Sequence, residues 1–386
     1  MKKITFVIPS RNNLEFLQLA YKSIRNLETK HEILILNDAS TDGTQEWINS
    51  LDDKDLIVHH NPGPERIGIV GMFDKGIEMA KTEIIFAYHA DMVAAPNLDK
   101  YILEHLERGM VISATRVEPP LHPEGPEKII ADFGSEVEDF DIDKFYNWCN
   151  QPKMSSGQIT EGIFAPWCMY KEDFLAIGGH DELFAPQSRE DSDLFNRFHL
   201  AGYKFKQVWD ALVYHFTSRG SRFNKHAGGG TMKDSPEWQK TNSKNSRNFI
   251  RKWGTPVQHD ELMKPIVTPK YDIGFVVKNC NHEILHALEP WCSTIYSDAE
   301  FVKYISLEQS NTKYKLRDRV KPYDSEKQND ILIEFDALLL NQEQFNFITK
   351  LPHIINDSGR IGTARHDIFI INIRSMNTYE KELVNA

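Results

Sequence analysis

Over the first hundred residues, short apolar and β-branched runs alternate with amphipathic stretches. ITFVIPS (4–10), EILILND (32–38), LIVHH (56–60) and EIIFAYHAD (83–91) read as strands. LEFLQLAYKSIRNL (14–27), TQEWINSL (44–51) and GIVGMFDKGIEMAK (68–81) read as the helices between them. Regular alternation of this kind predicts a parallel sheet with crossover helices. Each strand runs out into polar or turn residues. Because doubly wound sheets bind ligands beyond the carboxyl ends of their strands, PSRNN, NDAST and HADM are expected to converge on one cleft.

From residue 95 to 156 the pattern loosens into a Pro-rich stretch, EPPLHPEGPE, and an acidic one, SEVEDFDID, both read as solvated surface. Periodicity returns with GIFAPWCMYKEDFLAIGG, EDSDLFNRFHLAGYKFKQV and the strand ALVYHF, before the Gly-, Ser- and base-rich loop TSRGSRFNKHAGGGTMKD. That loop reads either as a flexible lid over a site or as plain disorder. After the helical NSRNFIRKWG, prolines mark a linker, and DIGFVVKN, STIYSD, DILIEFDALLL and HDIFIINI carry a second α/β pattern. The expected organisation is a first α/β domain over 1–255, a linker over 256–270 and a smaller α/β domain over 271–386.

Composition narrows the classes. The chain has 386 residues, 40% hydrophobic and 26% charged, in the range of soluble globular proteins. No apolar run approaches the roughly 20 residues of a membrane-spanning helix. The N-terminal MKKITFVIPS reads as a first strand and not as a signal peptide, so a cytoplasmic location is expected. A net charge of -11 argues against a nucleic-acid partner, although basic loops can still hold a phosphate. Cys149, Cys168, Cys280 and Cys292 show no metal or disulfide spacing.

Taken in order, FVIPSRNN, ILILNDASTDGT, HAD, IGGHDELFAPQSREDSDLFNRFHLAGYK, VYH and RKWG resemble the family-2 glycosyltransferases of the GT-A fold, over roughly residues 3–254. The resemblance implies a Rossmann-like, mostly parallel sheet with helices on both faces. It also implies inverting transfer of a sugar from a nucleoside diphosphate, a UDP-sugar in this reading, to a hydroxyl of a glycan or other acceptor. Such chemistry needs recognition of the nucleoside, neutralisation of the departing diphosphate and a base for the acceptor.

By the same resemblance, Pro9, Ser10 and Asn12 underlie the nucleotide and Asp38 hydrogen-bonds its base, whereas Asp42 reads as a helix cap. Asp91 matches the directly ligating acid of an Asp-x-Asp motif whose first acid is here His89. His89 then either donates to ribose or phosphate, ligates the cation, or merely ends the strand. His215 matches a histidine that completes the metal shell, and a shell of His89, Asp91 and His215 favours Mn²⁺ over Mg²⁺. Phe73-Asp74 stands where the family often carries Arg-Asn, so positive charge for the diphosphate is expected from Arg66 or from Arg219, Arg222 and Lys225. Asp191 matches the catalytic base and Glu190 its neighbour, with Asp193 and Arg197 holding their helix; two acids at a helix start are also ordinary dipole complements. Trp167 reads equally as a sugar platform or a core aromatic.

Two other classes compete. A nucleotidyltransferase needs a Gly-rich basic loop after its first strand, and PSRNNLEF has no glycine. A catalytically silent nucleotide-sugar or glycan binding module would explain the altered His-Ala-Asp as a degenerate metal site. For the C-terminal domain, structural support, acceptor selection, tethering and homo-oligomerisation stay open.

Overall fold

The alternation of strand and helix is realised in a computed structural model that describes residues 2–151 and 156–385. These residues form two compact units: 2–242 with 259–265, and 243–258 with 266–385.

The first unit contains β1 (Ile4–Ser10), α1 (Leu14–Arg25), β2 (Glu32–Asp38), α2 (Thr44–Asn49), β3 (Leu56–Asn61), α3 (Ile69–Met79), β4 (Ile84–Ala87), β5 (Met92–Ala94), α4 (Leu98–His105) and β6 (Met110–Glu118). It continues with β7 (Lys128–Ile130), α5 (Ile142–Cys149), β8 (Ile159–Thr160), β9 (Trp167–Tyr170), α6 (Lys171–Ala176), α7 (Glu190–Leu200), β10 (Lys204–His215) and the start of α8 (Pro236–Trp253). The sheet runs β3-β2-β1-β4-β9-β6-β10-β5, with β7 on β6 and β8 on β10. The β3-β2-β1-β4 half and the β6-β10 pair are parallel, while β9, β5 and β8 run against their neighbours.

Side chains alternate between faces along each strand, and the core divides accordingly. Ile4, Phe6 and Ile8 pack with Leu17, Ala20 and Ile24 of α1, whereas Val7, Leu34 and Leu36 pack with Met72, Phe73 and Ile77 of α3. Helix α3 lies close on its face because Gly76 has no side chain: a Cβ there would sit 2.5 Å from Val7 Cγ1. The register pairs Ser10 with Asn37 and Val7 with Ala87, so β1 and β2 end level while β4 stops beside Val7, and the residues that follow it reach the same edge.

The second unit holds β11 (Ile273–Lys278), α9 (His282–Leu288), β12 (Thr294–Ser297), α10 (Val302–Glu308), α11 (Leu316–Arg319) and β13 (Val320–Pro322). After these come β14 (Ile331–Asp336), α12 (Gln342–Ile348), α13 (Leu351–Ser358), β15 (Gly362–His366) and β16 (Phe369–Ile373). Its sheet order is β13-β12-β11-β14-β16-β15, parallel up to β14 and antiparallel beyond.

The boundary expected at residue 255 is displaced, because from Ser243 onward α8 belongs to the second unit. Arg251 is fully buried there, donating from Nε (2.9 Å) and Nη2 (2.7 Å) to Glu289 Oε2 and from Nη2 to Glu308 Oε1 at 2.5 Å. Arg319 Nε donates to the other Glu289 oxygen at 2.5 Å. Burial alone would raise the Glu289 pKa, but Arg319 and Arg251 outweigh it and bring it down to about 2. Part of the expected linker, 259–265, groups with the first unit, where Lys264 pairs with Glu161 at 2.7 Å. Among the described residues no helix is long and apolar enough to cross a membrane.

Candidate functional site

The stretch IIFAYHADMV is two strands and a turn. β4 ends at Ala87, the chain turns through Tyr88–Asp91, and β5 returns antiparallel to β10 with Met92 opposite His215. The Phe216 amide donates to the Asp91 carbonyl at 3.0 Å, which brings Asp91 beside the end of β10. His89, Asp91 and His215 each present one ligand atom, and the three atoms lie within 4.8 Å of one another. Asp91 Oδ2 and His215 Nε2 are 3.7 Å apart, beyond hydrogen-bonding distance. The donor set, two imidazole nitrogens and a carboxylate, suits a divalent transition ion. Desolvation lowers the His89 pKa against the pull of Asp91 and Asp191, which keeps a lone pair available on the ring. Asp91 Oδ2 also accepts from the Arg219 amide at 2.8 Å.

The cluster opens into a cavity of about 370 Å³. The end of β1 contributes Pro9 and Ser10, the turn after it Arg11 and Asn13, the end of β2 Asp38, and the approach to α3 Arg66 and Gly68. Ser188, Glu190 and Asp191 enter from the start of α7, and Ser218, Gly220, Ser221 and Arg222 from the Gly-rich loop, with Trp238 of α8. Arg66 Nε lies 3.0 Å from Glu237, and Arg222 stacks over the Trp238 ring at 4.6 Å. Several buried polar atoms of this lining have no protein partner: Ser10 Oγ, Asn13 Nδ2, an Arg66 terminal nitrogen and Glu190 Oε2. Burial first, and then the charge of Asp191, raises the Glu190 pKa to about 8.

The start of α7 is fixed from two sides. Gly68 precedes α3 at φ +92, and a Cβ there would lie 2.3 Å from Pro186 Cβ; the contact lets Ile69 N donate to Pro186 O at 2.8 Å. Asp74 accepts from His180 Nδ1 at 2.6 Å, so the Phe73-Asp74 departure anchors GGHDELF. Inside α7, Arg197 pairs with Asp193 at 2.9 Å and donates to the Ile177 and Gly179 carbonyls.

Of the residues expected from the sequence, Pro9, Ser10, Asp38, Arg66, His89, Asp91, Glu190, Asp191, His215 and Arg222 all line this cavity. Asn12 does not line it: at φ 51 its Oδ1 turns to accept from Thr41 N at 2.7 Å, and Asn13 faces the cavity instead. Both Asp38 oxygens accept bonds, from Asn61 Nδ2 (2.7 Å), Ile67 N (2.9 Å) and Gly68 N (2.8 Å), so it also braces the loop before α3. Asp42 accepts from Leu14 N and Thr44 Oγ1, at the starts of two helices. Arg219 and Lys225 turn to Glu136, at 3.1 and 3.8 Å, and leave Arg222 as the cation that this loop gives to the cavity. Trp167 is buried against Phe174 and Phe198, while Trp238 is the cavity's tryptophan.

The sequence reading missed Trp238 and Glu118. Glu118, the first residue of EPPLHPEGPE, was assigned to solvent, yet it ends β6 buried against His215, with Nδ1 to Oε1 at 2.7 Å. Burial resists its ionisation, but His215, Arg116 and Lys128 hold it well below the usual carboxylate range.

A mostly parallel α/β unit whose strand ends gather arginines, unpartnered polar atoms and a His–Asp–His cluster has the makings of a site for a phosphorylated ligand and a cation. Residues 5–137 match the model of the family described as Glycosyl transferase family 2. That match includes His89 and Asp91 and stops short of Asp191 and His215.

Solved structures similar in fold include GalNAc-T7 with UDP, GalNAc and Mn²⁺, at 16% identity and TM-score 0.43 over 56% of this chain and 44% of that one. The mannosyltransferase PcManGT of Pyrobaculum calidifontis with GDP-Man and Mn²⁺ matches at 16% identity and TM-score 0.41, over 63% of this chain and 61% of that one. S. aureus TarS 1-349 with UDP matches at 14% and 0.41, over 55% and 60%. The chain therefore spans less than two thirds of the length of each. No curated protein sequence matches it.

Proposed function

We propose that this protein is an inverting glycosyltransferase that moves a sugar from a nucleoside diphosphate, a UDP-sugar, to a hydroxyl-bearing acceptor. One observation carries the reading: the His89–Asp91–His215 cluster and Asp191 line a single cavity with Arg66 and Arg222. His89, Asp91 and His215 would hold Mn²⁺, which when bound supplies Lewis-acid neutralisation of the diphosphate. Arg66 and Arg222 add fixed positive charge for the leaving group, and Ser10, Asn13 and Asp38 hold the nucleoside. Asp191 accepts the proton of the acceptor hydroxyl as its oxygen bonds to the anomeric carbon and the carbon–diphosphate bond breaks on the opposite face. Burial, and then the neighbouring carboxylate of Asp191, draws Glu190 toward its neutral form.

The choice of uridine rests on the family resemblance, and a panel of donors tests it. The protein is incubated with Mn²⁺ and UDP-, GDP- and dTDP-sugars, and nucleoside diphosphate release is measured beside nucleotide-induced thermal shifts. Release with a uridine donor, abolished by chelation, is expected. No release and no thermal shift with any donor would overturn the enzyme reading.

A further inference from the structure

Given the cation site proposed above, we infer that Glu118 is a positioning residue that sets which nitrogen of His215 faces the cation. Topology makes the pair: β6 and β10 run parallel with Val117 beside Tyr214, so the next residue of each strand, Glu118 and His215, emerge together. Glu118 Oε1 is 2.7 Å from His215 Nδ1, and Nε2 points the other way, 3.7 Å from Asp91. A carboxylate has no hydrogen to give, so Nδ1 must be the donor. In the neutral ring that leaves the Nε2 lone pair open toward Asp91 and His89.

Two cations lie against the carboxylate. Lys128 Nζ donates to Glu118 Oε2 at 3.0 Å, and Arg116 Nε lies 3.4 Å from Oε1. β7 lies parallel to β6 with Lys128 opposite Arg116, which brings the Lys128 ammonium within reach of Glu118. Glu118 is 2% exposed, so its carboxylate is fixed against Nδ1 by protein contacts. Carboxylate partners of this kind orient a ligating imidazole, and losing one typically costs about 10–100-fold in metal affinity.

Two measurements separate this inference from the cation reading on which it rests. In metal-free wild-type protein, at a pH high enough for the imidazole to be neutral, nitrogen-resolved NMR of His215 should show hydrogen on Nδ1 and none on Nε2, and a neutral ring with its hydrogen on Nε2 would overturn the inference without a variant or a metal. Mn²⁺ titration followed by electron paramagnetic resonance should then show Glu118→Gln binding about 10–100-fold more weakly than wild type. The amide can present its NH₂ group to Nδ1 and favour the opposite tautomer. Equal Mn²⁺ affinities, in a variant with an unchanged unfolding temperature, would overturn the positioning role. Absence of Mn²⁺ binding by the wild type would overturn the cation site itself, while the tautomer result still decides what Glu118 does to His215.

Discussion

Asp38 joins two tasks in one side chain. Its carboxylate receives Asn61 Nδ2, Ile67 N and Gly68 N, and it also lines the cavity. Asp38→Ala strands the buried Gly68 amide, so a loss of about 1–3 kcal/mol in unfolding free energy is expected together with weaker nucleotide binding. Arg222 has the opposite profile, since its guanidinium stacks on Trp238 and pairs with Asp234 at 2.5 Å at the cavity rim. Arg222→Ala should lower nucleoside diphosphate affinity by about 10–100-fold, as loss of one charge-assisted contact does. Its melting temperature should barely move, and calorimetric titration beside a thermal melt checks both. At this scale His89, Asp91 and His215 were legible because each closes an apolar run at a strand end. Trp238 and Glu118 were not: Trp238 stands at the start of a helix, and Glu118 enters a proline-rich stretch, where only the pairing of β6 with β10 reveals its position beside His215.

Among the elements, the contact of α3 with the segment before α7 decides where the acids stand. The Pro186 carbonyl accepts Ile69 N at the start of α3, and Gly68 allows the approach. Gly68→Ala puts a methyl 2.3 Å from Pro186 at a φ of +92, and should destabilise the protein by about 1–3 kcal/mol. Because the same shift moves Asp191, turnover should fall by more than donor affinity does, which a comparison of kcat with donor Kd measures. The parallel strands were readable from their apolar runs: β1 and β2 have the predicted bounds. β5 was not, because Met92–Ala94 is three residues long and reads as the tail of the strand before it; only pairing with β10 defines it.

In the whole molecule, the second unit rests on charge buried among Arg251, Arg319, Glu289 and Glu308. A Glu289 pKa of about 2, against an ordinary value of 4.5, means that the stabilisation is complete above the ordinary value. It is lost as the pH falls from about 4.5 toward 2. Glu289→Gln should cost about 3–5 kcal/mol near neutrality and flatten the fall of the melting temperature on acidification. The two α/β patterns were visible along the chain, but their junction was not, because α8 is one uninterrupted helix whose buried Arg251 carries no mark in the sequence.

The most direct test of the account pairs two measurements on the intact protein, with and without Asp191→Asn: UDP-sugar affinity by calorimetry in Mn²⁺, and transfer to an acceptor alcohol. The account predicts near-normal affinity and loss of transfer by at least about 100-fold, the scale of a positioned base. Collapsed affinity with transfer intact would contradict it.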